Sequence, residues 1–178
     1  MNVDGNKVRQ QILSGRTNFS NSVIKGNLNL FNMTVEGNLN FSNAEIDGDV
    51  VIKDTIINGS IEMSGMTIGG ANVIINNCPI NGDLNMDDVT FISSSVWLIK
   101  VDIKGSLNLN KSNIVDGELW LIDVTIKNNF CIAFNEKPKM IRVSPDLAEL
   151  THWGAPTTPL VVIKNPKQIN EAKSKVTS

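Results

Sequence analysis

A short pattern of apolar and polar positions repeats along most of the chain. Each unit reads apolar-x-apolar-x-x-(apolar or small)-x-apolar, and successive units begin about eleven or twelve residues apart. The first three units are Thr17/Phe19/Ser22/Ile24, Leu28/Leu30/Met33/Val35 and Leu39/Phe41/Ala44/Ile46. The series ends after Phe130 and Ile132. A short fixed period is typical of solenoids, because one such unit cannot bury its apolar face alone. The pattern therefore predicts a solenoid built from very short strands.

The residues between the apolar positions indicate how many units form one coil. Because side chains alternate along a strand, a residue between two inward positions points outward. In one set of alternate units the first outward residues are Asn18, Asn40, Glu62, Asn85 and Asn108. In the other set they are Asn29, Val51, Ile74, Trp97 and Trp120. Since the two series differ in chemistry, we expect two units per coil, about 22 or 23 residues, and four short sides.

Two stretches of the repeat resemble a known family. Gly37-Asn38-Leu39-Asn40-Phe41 and Ser42-Asn43-Ala44-Glu45-Ile46 are similar to the unit of the pentapeptide-repeat superfamily, which is a small residue, Asp or Asn, Leu or Phe, then two variable positions. Gly-Asn-Leu, Gly-Asp-Val and Gly-Asp-Leu triplets beginning at Gly26, Gly37, Gly48 and Gly82 fit the same unit. The chain resembles a divergent member with units of about eleven to twelve residues. The resemblance covers roughly residues 16–132 and implies a right-handed, four-sided parallel β-helix.

The two ends of the chain depart from the repeat. Residues 1–15 contain a predicted capping helix that begins after the N-cap residue Asp4 and ends at Leu13. Residues 16–134 then form the β-helix of about five coils, and residues 135–178 form an α/β tail that packs on it or caps it. The tail is predicted to hold a helix from Pro145 to Trp153, a strand from Leu160 to Lys164 and a helix from Pro166 to about Val176. The predicted fold class is thus an all-β solenoid with a helical N-terminal cap.

The amino-acid composition excludes several classes of protein. The formal net charge of −2 gives no sign of a basic nucleic-acid-binding surface, so no direct contact with nucleic acid is expected. Two cysteines in a chain of 178 residues do not form a disulfide framework. Cys78 occupies an inward position, whereas Cys131 lies between two inward residues and should be an outward free thiol. No apolar run is long enough for a membrane span or a signal segment, so a reducing, cytoplasmic location is expected.

Motifs for catalysis or cofactor binding are not evident in the repeat. His152 is the single histidine, and nothing in the sequence places a nucleophile and an orienting acid beside it. There is no phosphate-binding glycine loop and no cysteine or histidine spacing typical of a metal site. Aspartates cluster at positions 47, 49 and 54 and at 83, 87 and 88, where turn preferences account for them. We therefore expect no enzymatic activity, no cofactor and no metal.

The informative surface is an apolar column on the outside of the predicted coils. Its residues are Phe31, Val51, Ile74, Trp97, Ile99, Trp120 and Ile122. A tryptophan side chain can bury about 150–250 Å² of surface. We therefore expect protein to cover a stripe that contains two of them. Three covers remain open: the chain's own tail, a second copy in a homodimer, or another protein. The tail would use Leu147, Leu150, Trp153, Leu160 and Val162.

The sequence favours a non-catalytic β-helical interaction or scaffold protein that presents this apolar face to itself or to a protein partner. A second hypothesis, from the family resemblance, is a DNA-mimic regulator of a topoisomerase or another nucleic-acid-binding enzyme. That role requires rows of carboxylates, whereas the face that carries Asn18 and Asn40, with Ser20 and Ser42 as the next outward residues, is mainly Asn and Ser. A third hypothesis is a polymerising, bactofilin-like scaffold, which requires an uncapped end. A fourth is a sugar-active enzyme, which requires a groove with several carboxylates.

Overall fold

The computed structural model describes residues 1–148 and 160–162 and shows parallel strands stacked as a β-solenoid of about six turns. Strands in neighbouring coils pair in parallel, with partners 22 or 23 residues apart, as in Asn29 with Val51 (51 − 29 = 22) and Ile74 with Trp97 (97 − 74 = 23). This register confirms the prediction of two sequence units per coil. The stack is one turn taller than the five coils expected, because pairing continues past residue 134.

Each coil has four sides, which we number in chain order from residue 28. The first side contains β3 (Leu28–Phe31), β7 (Val50–Lys53), the start of β11 (Val73–Ile80) and of β14 (Val96–Ile103), β17 (Glu118–Ile122), β20 (Met140–Val143) and β21 (Leu160–Val162). The second contains β4 (Thr34–Val35), β8 (Ile56–Ile57), the ends of β11 and β14, and β18 (Thr125–Ile126).

The third side contains β5 (Leu39–Asn40), β9 (Ile61–Glu62), β12 (Leu84–Asn85), β15 (Leu107–Asn110) and β19 (Phe130–Ala133). The fourth contains β1 (Asn2–Asp4), β2 (Val23–Lys25), β6 (Glu45–Ile46), β10 (Thr67–Gly69), β13 (Thr90–Ile92) and β16 (Asn113–Val115). The inward residues of all four sides form one continuous core of Ile, Leu, Val, Met and Phe. Within this core the rings of Phe19 and Phe41 stack with their centroids 5.5 Å apart.

Asparagine and aspartate are common in this chain because its corners often need a left-handed backbone. At the corner after the first side, positive φ angles occur at Asn32, Asp54, Asn77, Lys100 and Asp123. At the corner after the third side they occur at Asn21, Asn43, Gly65, Asp88 and Lys111. Asn and Asp tolerate this conformation better than most residues that carry a Cβ atom. Glycine serves elsewhere for close approach: a Cβ on Gly48 would lie 2.5 Å from the carbonyl carbon of Gly26 in the preceding coil.

The corners before the first and third sides also contain left-handed residues, and ladders of side-chain acceptors hold them together. The left-handed residues are Gly26, Gly70, Ser93 and Asp116 before the first side and Gly37 before the third. Before the first side, Asp49 accepts the backbone N–H of Asn72 at 2.7 Å, and Asn72 accepts that of Ser95 at 3.0 Å. Before the third side, Asp83 accepts the backbone N–H of Ser106 at 2.7 Å. The first ladder runs through Asn27, Asp49, Asn72, Ser95 and Glu118, and the second through Asn38, Ser60, Asp83, Ser106 and Asn129. Each coil therefore satisfies backbone donors of the next where strand pairing is interrupted.

The N-terminal helix α1 (Gly5–Leu13) lies against β3, at the start of the first side. Asp4 caps it by accepting the N–H of Asn6 at 3.0 Å, as its sequence predicts. Val8 and Ile12 are buried in the core. Leu13 is 55% exposed, because it lies at the end of the helix and off its buried face.

The C-terminal region adds strands to the first side. β20 pairs with β17, and β21 pairs with β20, which confirms the strand predicted to begin at Leu160. Helix α2 (Pro145–Ala148) begins at the predicted proline, and Leu147 is buried. The remainder of that predicted helix up to Trp153, with His152, and the helix predicted from Pro166 to Val176 lie outside the described residues. Among the described helices, none has the length and apolar character needed to cross a membrane.

Candidate functional site: the outward face of the first side

The seven apolar residues singled out in the sequence lie on the outward face of the first side. One column of register partners runs Asn29, Val51, Ile74, Trp97, Trp120 and Arg142. The adjacent column runs Phe31, Lys53, Asn76, Ile99 and Ile122. Because the inward residues of these strands belong to the main core, the outward residues form a second and separate apolar cluster.

Burial divides this outward face into two parts. Ile99 and Ile122 are completely buried, and Ile74 and Trp120 are each 9% exposed. Phe31 is 37% exposed, while Val51 and Trp97 are half-buried. The C-terminal coils of the face are therefore already covered within the single chain. The open part lies nearer the N-terminus, around Phe31, Val51 and Trp97.

The expected tail residues contribute to the interior of the solenoid. Leu147 is 2% exposed and belongs to the main core, and Val162 packs against that same core. Neither belongs to the outward cluster formed by Ile74, Ile99 and Trp120. Our expectation that Leu147 and Val162 cover the outward face is therefore wrong, since both contact inward residues. Leu150 and Trp153 lie outside the described residues, as does the side chain of Leu160.

A polar group closes the C-terminal end of the face. Glu118 accepts a hydrogen bond from Trp120 Nε1 at 2.8 Å and forms an ion pair with Arg142 Nε at 3.1 Å. The guanidinium carbon of Arg142 lies 4.7 Å from the ring centroid of Trp120, which is a cation–π geometry. The Glu118–Arg142 pair is about one-third exposed or less, so solvent screens it less than a surface pair. The sequence pattern marks neither residue, because the repeat ends before Arg142 and Glu118 is polar.

The middle of the face carries polar groups among the apolar ones. Trp97 Nε1 is buried and is the one buried side-chain N or O atom without a hydrogen-bond partner in the described part of the chain. Asn76 is only 8% exposed, and its side-chain amide is not among the buried atoms that lack a partner. Lys53, the register partner of Asn76, is half-buried and has no ion pair among residues 1–148 and 160–162. Alternation along their strands places Lys53 and Asn76 on the outward face, but the apolar pattern that predicts the site does not include polar residues.

The third side offers a polar contrast to this face. Its outward amides satisfy the protein's own backbone: Asn40 accepts the N–H of Ser42 at 2.8 Å, and Asn85 accepts that of Asp87 at 3.1 Å. Asn85 also donates to Glu62 at 3.1 Å. The outward residues of this side therefore have structural partners, and they form no counterpart to the apolar cluster.

The aspartate clusters in the sequence also have structural partners. Asp49 and Asp83 belong to the corner ladders, and Asp54 accepts from Asn77 Nδ2 at 2.6 Å. Asp47 accepts the N–H of Gly26 and pairs with Lys25 at 3.0 Å, and these contacts hold the pKa of its carboxyl below the ordinary value. In the part of the chain that the structure describes, no group of three His, Cys, Asp or Glu residues could hold a metal ion.

The two thiols differ in environment, as predicted. Cys78 is 1% exposed and donates to the carbonyl oxygens of Asn76 at 3.1 Å and Ile52 at 3.4 Å. Burial raises the pKa of the Cys78 thiol to about 11, so it is protonated at neutral pH. Cys131 is free and half-buried, at the register position next to Asn108.

Comparison of the chain with protein-family models, with curated proteins and with solved structures finds no match.

Proposed function

We propose that this chain is a non-catalytic interaction or scaffold protein that binds another protein, or a second copy of itself, through the open part of the first side. One observation carries the proposal: this side places apolar residues outward in two adjacent columns, whereas the third side places Asn40 and Asn85 outward, and these amides accept hydrogen bonds from their own backbone. An apolar patch on an otherwise polar surface is typical of an interaction site.

The architecture supports a scaffold role. The ladders at two corners and the continuous parallel pairing fix neighbouring coils relative to one another. Side chains on the open part of the face are thereby held at set positions before a partner arrives, which lowers the entropy lost on binding. On this rigid support Phe31 is exposed, and Val51 and Trp97 are half-buried.

The resemblance to pentapeptide-repeat proteins and a cytoplasmic location belong to the same proposal. Triplets such as Gly37-Asn38-Leu39 and Gly82-Asp83-Leu84 supply the acceptors of one corner ladder, which gives the family-like pattern a structural use in this chain. Two free cysteines suit a reducing compartment.

The test uses a charge placed on the open part of the face. Val51→Asp puts a carboxylate at the centre of the proposed contact, and Ser42→Asp makes the matched change on the third side. Both positions are half-buried and outward, so both variants should fold, which circular dichroism and thermal unfolding will check. Sedimentation velocity measures self-association, and affinity capture followed by quantitative mass spectrometry measures binding of other proteins.

We expect Val51→Asp to abolish either the dimer or the capture of specific proteins, because the introduced carboxylate loses its hydration when the contact closes over it. Ser42→Asp should leave both unchanged. The proposal fails if the wild-type protein is monomeric and captures the same proteins as Val51→Asp.

A further inference from the structure

The corner before the third side carries an outer column of polar side chains. Asn58 and Asn81 stand one coil apart in this column, both are exposed, and each is followed directly by glycine. Asn58 Nδ2 donates to Glu36 Oε2 at 3.0 Å, and Asn81 Nδ2 donates to Asn58 Oδ1 at 2.9 Å. Lys104 and Lys127 take the next two positions of the column.

The glycines after these asparagines place a reactive backbone nitrogen beside each side-chain amide. The nitrogen of the following residue can attack the amide carbon of an asparagine, and glycine presents this nitrogen without a Cβ atom in the way. In the described part of the chain, the N–H groups of Gly59 and Gly82 have no protein acceptor. Gly105, one coil later, differs, since its N–H donates to Gly82 O at 3.0 Å.

Hydrogen bonds hold the two amides to different degrees. The Asn58 amide is bonded at both polar atoms, because Nδ2 donates to Glu36 and Oδ1 accepts from Asn81. The Asn81 amide is bonded through Nδ2, and no described residue donates to its Oδ1. To bring its carbon to the glycine nitrogen, the amide must turn, which breaks two hydrogen bonds at Asn58 but one at Asn81.

Neighbouring charges distinguish the same two asparagines. The attacking nitrogen has lost its proton, and the final product is a carboxylate, so negative charge develops during the reaction. Beside Asn58 lies the Glu36 carboxylate, which opposes this charge. Beside Asn81 the next position is Lys104, which pairs with Asp102, and Lys127 one coil further leaves that part of the column positive.

We infer that Asn81 is a site of spontaneous deamidation in the folded protein and that the fold protects Asn58. Gly82 N bonds to Asn81 Cγ, and its proton passes through water to Nδ2, which leaves as ammonia when the Cγ–Nδ2 bond breaks. Water then opens the resulting cyclic imide at either carbonyl, which leaves an aspartate or an isoaspartate at position 81. One water is consumed and one ammonia released, and the inference is independent of the proposed function.

The test uses the wild-type, full-length protein in ¹⁸O-labelled water, folded in buffer and unfolded in urea. One tryptic peptide, residues 54–100, holds both sites, and tandem mass spectrometry measures incorporation of ¹⁸O at each. In urea Asn58 and Asn81 should react at similar rates, because each precedes glycine. In the folded protein Asn81 should react at least about fivefold faster than Asn58, since one fewer hydrogen bond must break and the neighbouring charge favours it.

Two variants separate the charges from the hydrogen bonds. Glu36→Gln keeps an oxygen that can accept from Asn58 but removes the charge, so it should accelerate Asn58 and leave Asn81 unchanged. Lys104→Gln should slow Asn81 and leave Asn58 unchanged. Lys7→Gln removes an exposed cation on helix α1 and should change neither rate. Circular dichroism and thermal unfolding show whether each variant keeps the fold.

Three results would overturn the inference. Equal rates at the two asparagines in the folded protein would show that the column does not distinguish them. Reaction of both sites in urea but of neither in buffer would mean that the corner protects Asn81 as well. If Lys104→Gln and Lys7→Gln have the same effect on Asn81, the charge beside it plays no part.

Discussion

Trp97 and Trp120 are register partners on adjacent strands, and their ring centroids lie 6.1 Å apart with the ring planes tilted by 59°. The two indoles differ in their polar contacts. Trp120 Nε1 donates to Glu118, whereas Trp97 Nε1 is buried without a partner in the described part of the chain. Leaving a buried donor unsatisfied costs about 1–3 kcal/mol. Trp97 is therefore the member of the pair whose indole N–H is left unsatisfied.

The core assignment predicts unequal costs for two neighbouring residues. Leu107 is fully buried in the middle of the stack, between Leu84 and Phe130 in register. Leu107→Ala should lower the free energy of unfolding by about 2–5 kcal/mol, because it leaves a cavity. Asn108→Ala, at the outward neighbour, should lower it by much less. Denaturant titration of both variants measures the difference, and similar losses would mean that the strand faces the other way.

Side-chain direction could be predicted from the sequence because it depends only on alternation along a strand. That rule placed Trp97 above Trp120 and Leu107 in the core, and the register confirms both. The complete burial of Ile99 and Ile122 could not be predicted, since alternation gives the direction of a side chain but not what lies over it. The positions of Leu147 and Arg142 depend on pairing of β20 with a strand about 20 residues earlier, and no repeat marks that pairing.

The corner residues show a second limit. Asn32 and Asn38 look alike in the sequence, yet Asn32 adopts a positive φ and Asn38 accepts a backbone N–H from the next coil. Turn preference explains both residues equally well. The sequence does not distinguish a residue that adopts a left-handed backbone from one whose side-chain oxygen accepts a hydrogen bond. The distance to the neighbouring coil makes that distinction.

Close approach between coils predicts that Gly48 cannot accept a methyl group. A Cβ there would lie 2.5 Å from Gly26 C and 2.6 Å from Asn27 N, both backbone atoms that cannot move aside without shifting a coil. Gly48→Ala should therefore lower the free energy of unfolding by about 1–3 kcal/mol. Gly69→Ala is the matched control, because nothing lies within 4 Å of its added Cβ, and it should be neutral or slightly stabilising. Equal thermal stability of the two variants would contradict the packing of the coils at Gly48.

The ladder before the third side makes a prediction about Asp83. Its Oδ1 accepts the Ser106 N–H at 2.7 Å, so Asp83→Ala leaves that donor without its partner. The expected loss is about 1–3 kcal/mol. Asp83→Asn retains an acceptor oxygen and should lose clearly less. Urea titrations of the two variants test this, and an alanine variant as stable as the asparagine variant would show that the ladder contributes nothing.

The different burial of Cys131 and Cys78 predicts that a thiol reagent modifies them under different conditions. Under native conditions iodoacetamide should modify Cys131, which is half-buried, and leave Cys78, which is 1% exposed. The thiolate is the reactive form, and the raised pKa of Cys78 keeps it protonated at neutral pH. Intact mass spectrometry should show one adduct in buffer and two in guanidinium chloride. Cys131→Ser should remove the native adduct, and its persistence would mean that Cys78 is accessible.

The raised pKa of the Cys78 thiol predicts that the protein becomes less stable at alkaline pH. In the unfolded chain Cys78 ionises near its ordinary pKa of 9.0, whereas burial raises the pKa to about 11 in the folded protein. Between these values the unfolded state binds fewer protons, so the free energy of unfolding falls as pH rises. The contribution of Cys78 to the free energy of unfolding is fully present below about pH 9 and is lost as pH approaches 11. The expected loss is roughly 2–3 kcal/mol, since each pKa unit corresponds to about 1.4 kcal/mol.

Cys78→Ala isolates this contribution, because every other titrating group is common to both proteins. The stability of the wild-type protein minus that of Cys78→Ala, measured by denaturant titration with reductant present, should be constant from pH 7 to 8. It should then shrink steadily toward pH 11, as the unfolded wild-type chain loses its Cys78 proton and the folded one retains it. Cys78→Ala also loses the thiol's contacts with Asn76 and Ile52, but that loss does not vary with pH. A difference that stays constant up to pH 11 would show that the thiol ionises equally well in the folded protein, and that Cys78 is not enclosed by the coils around it.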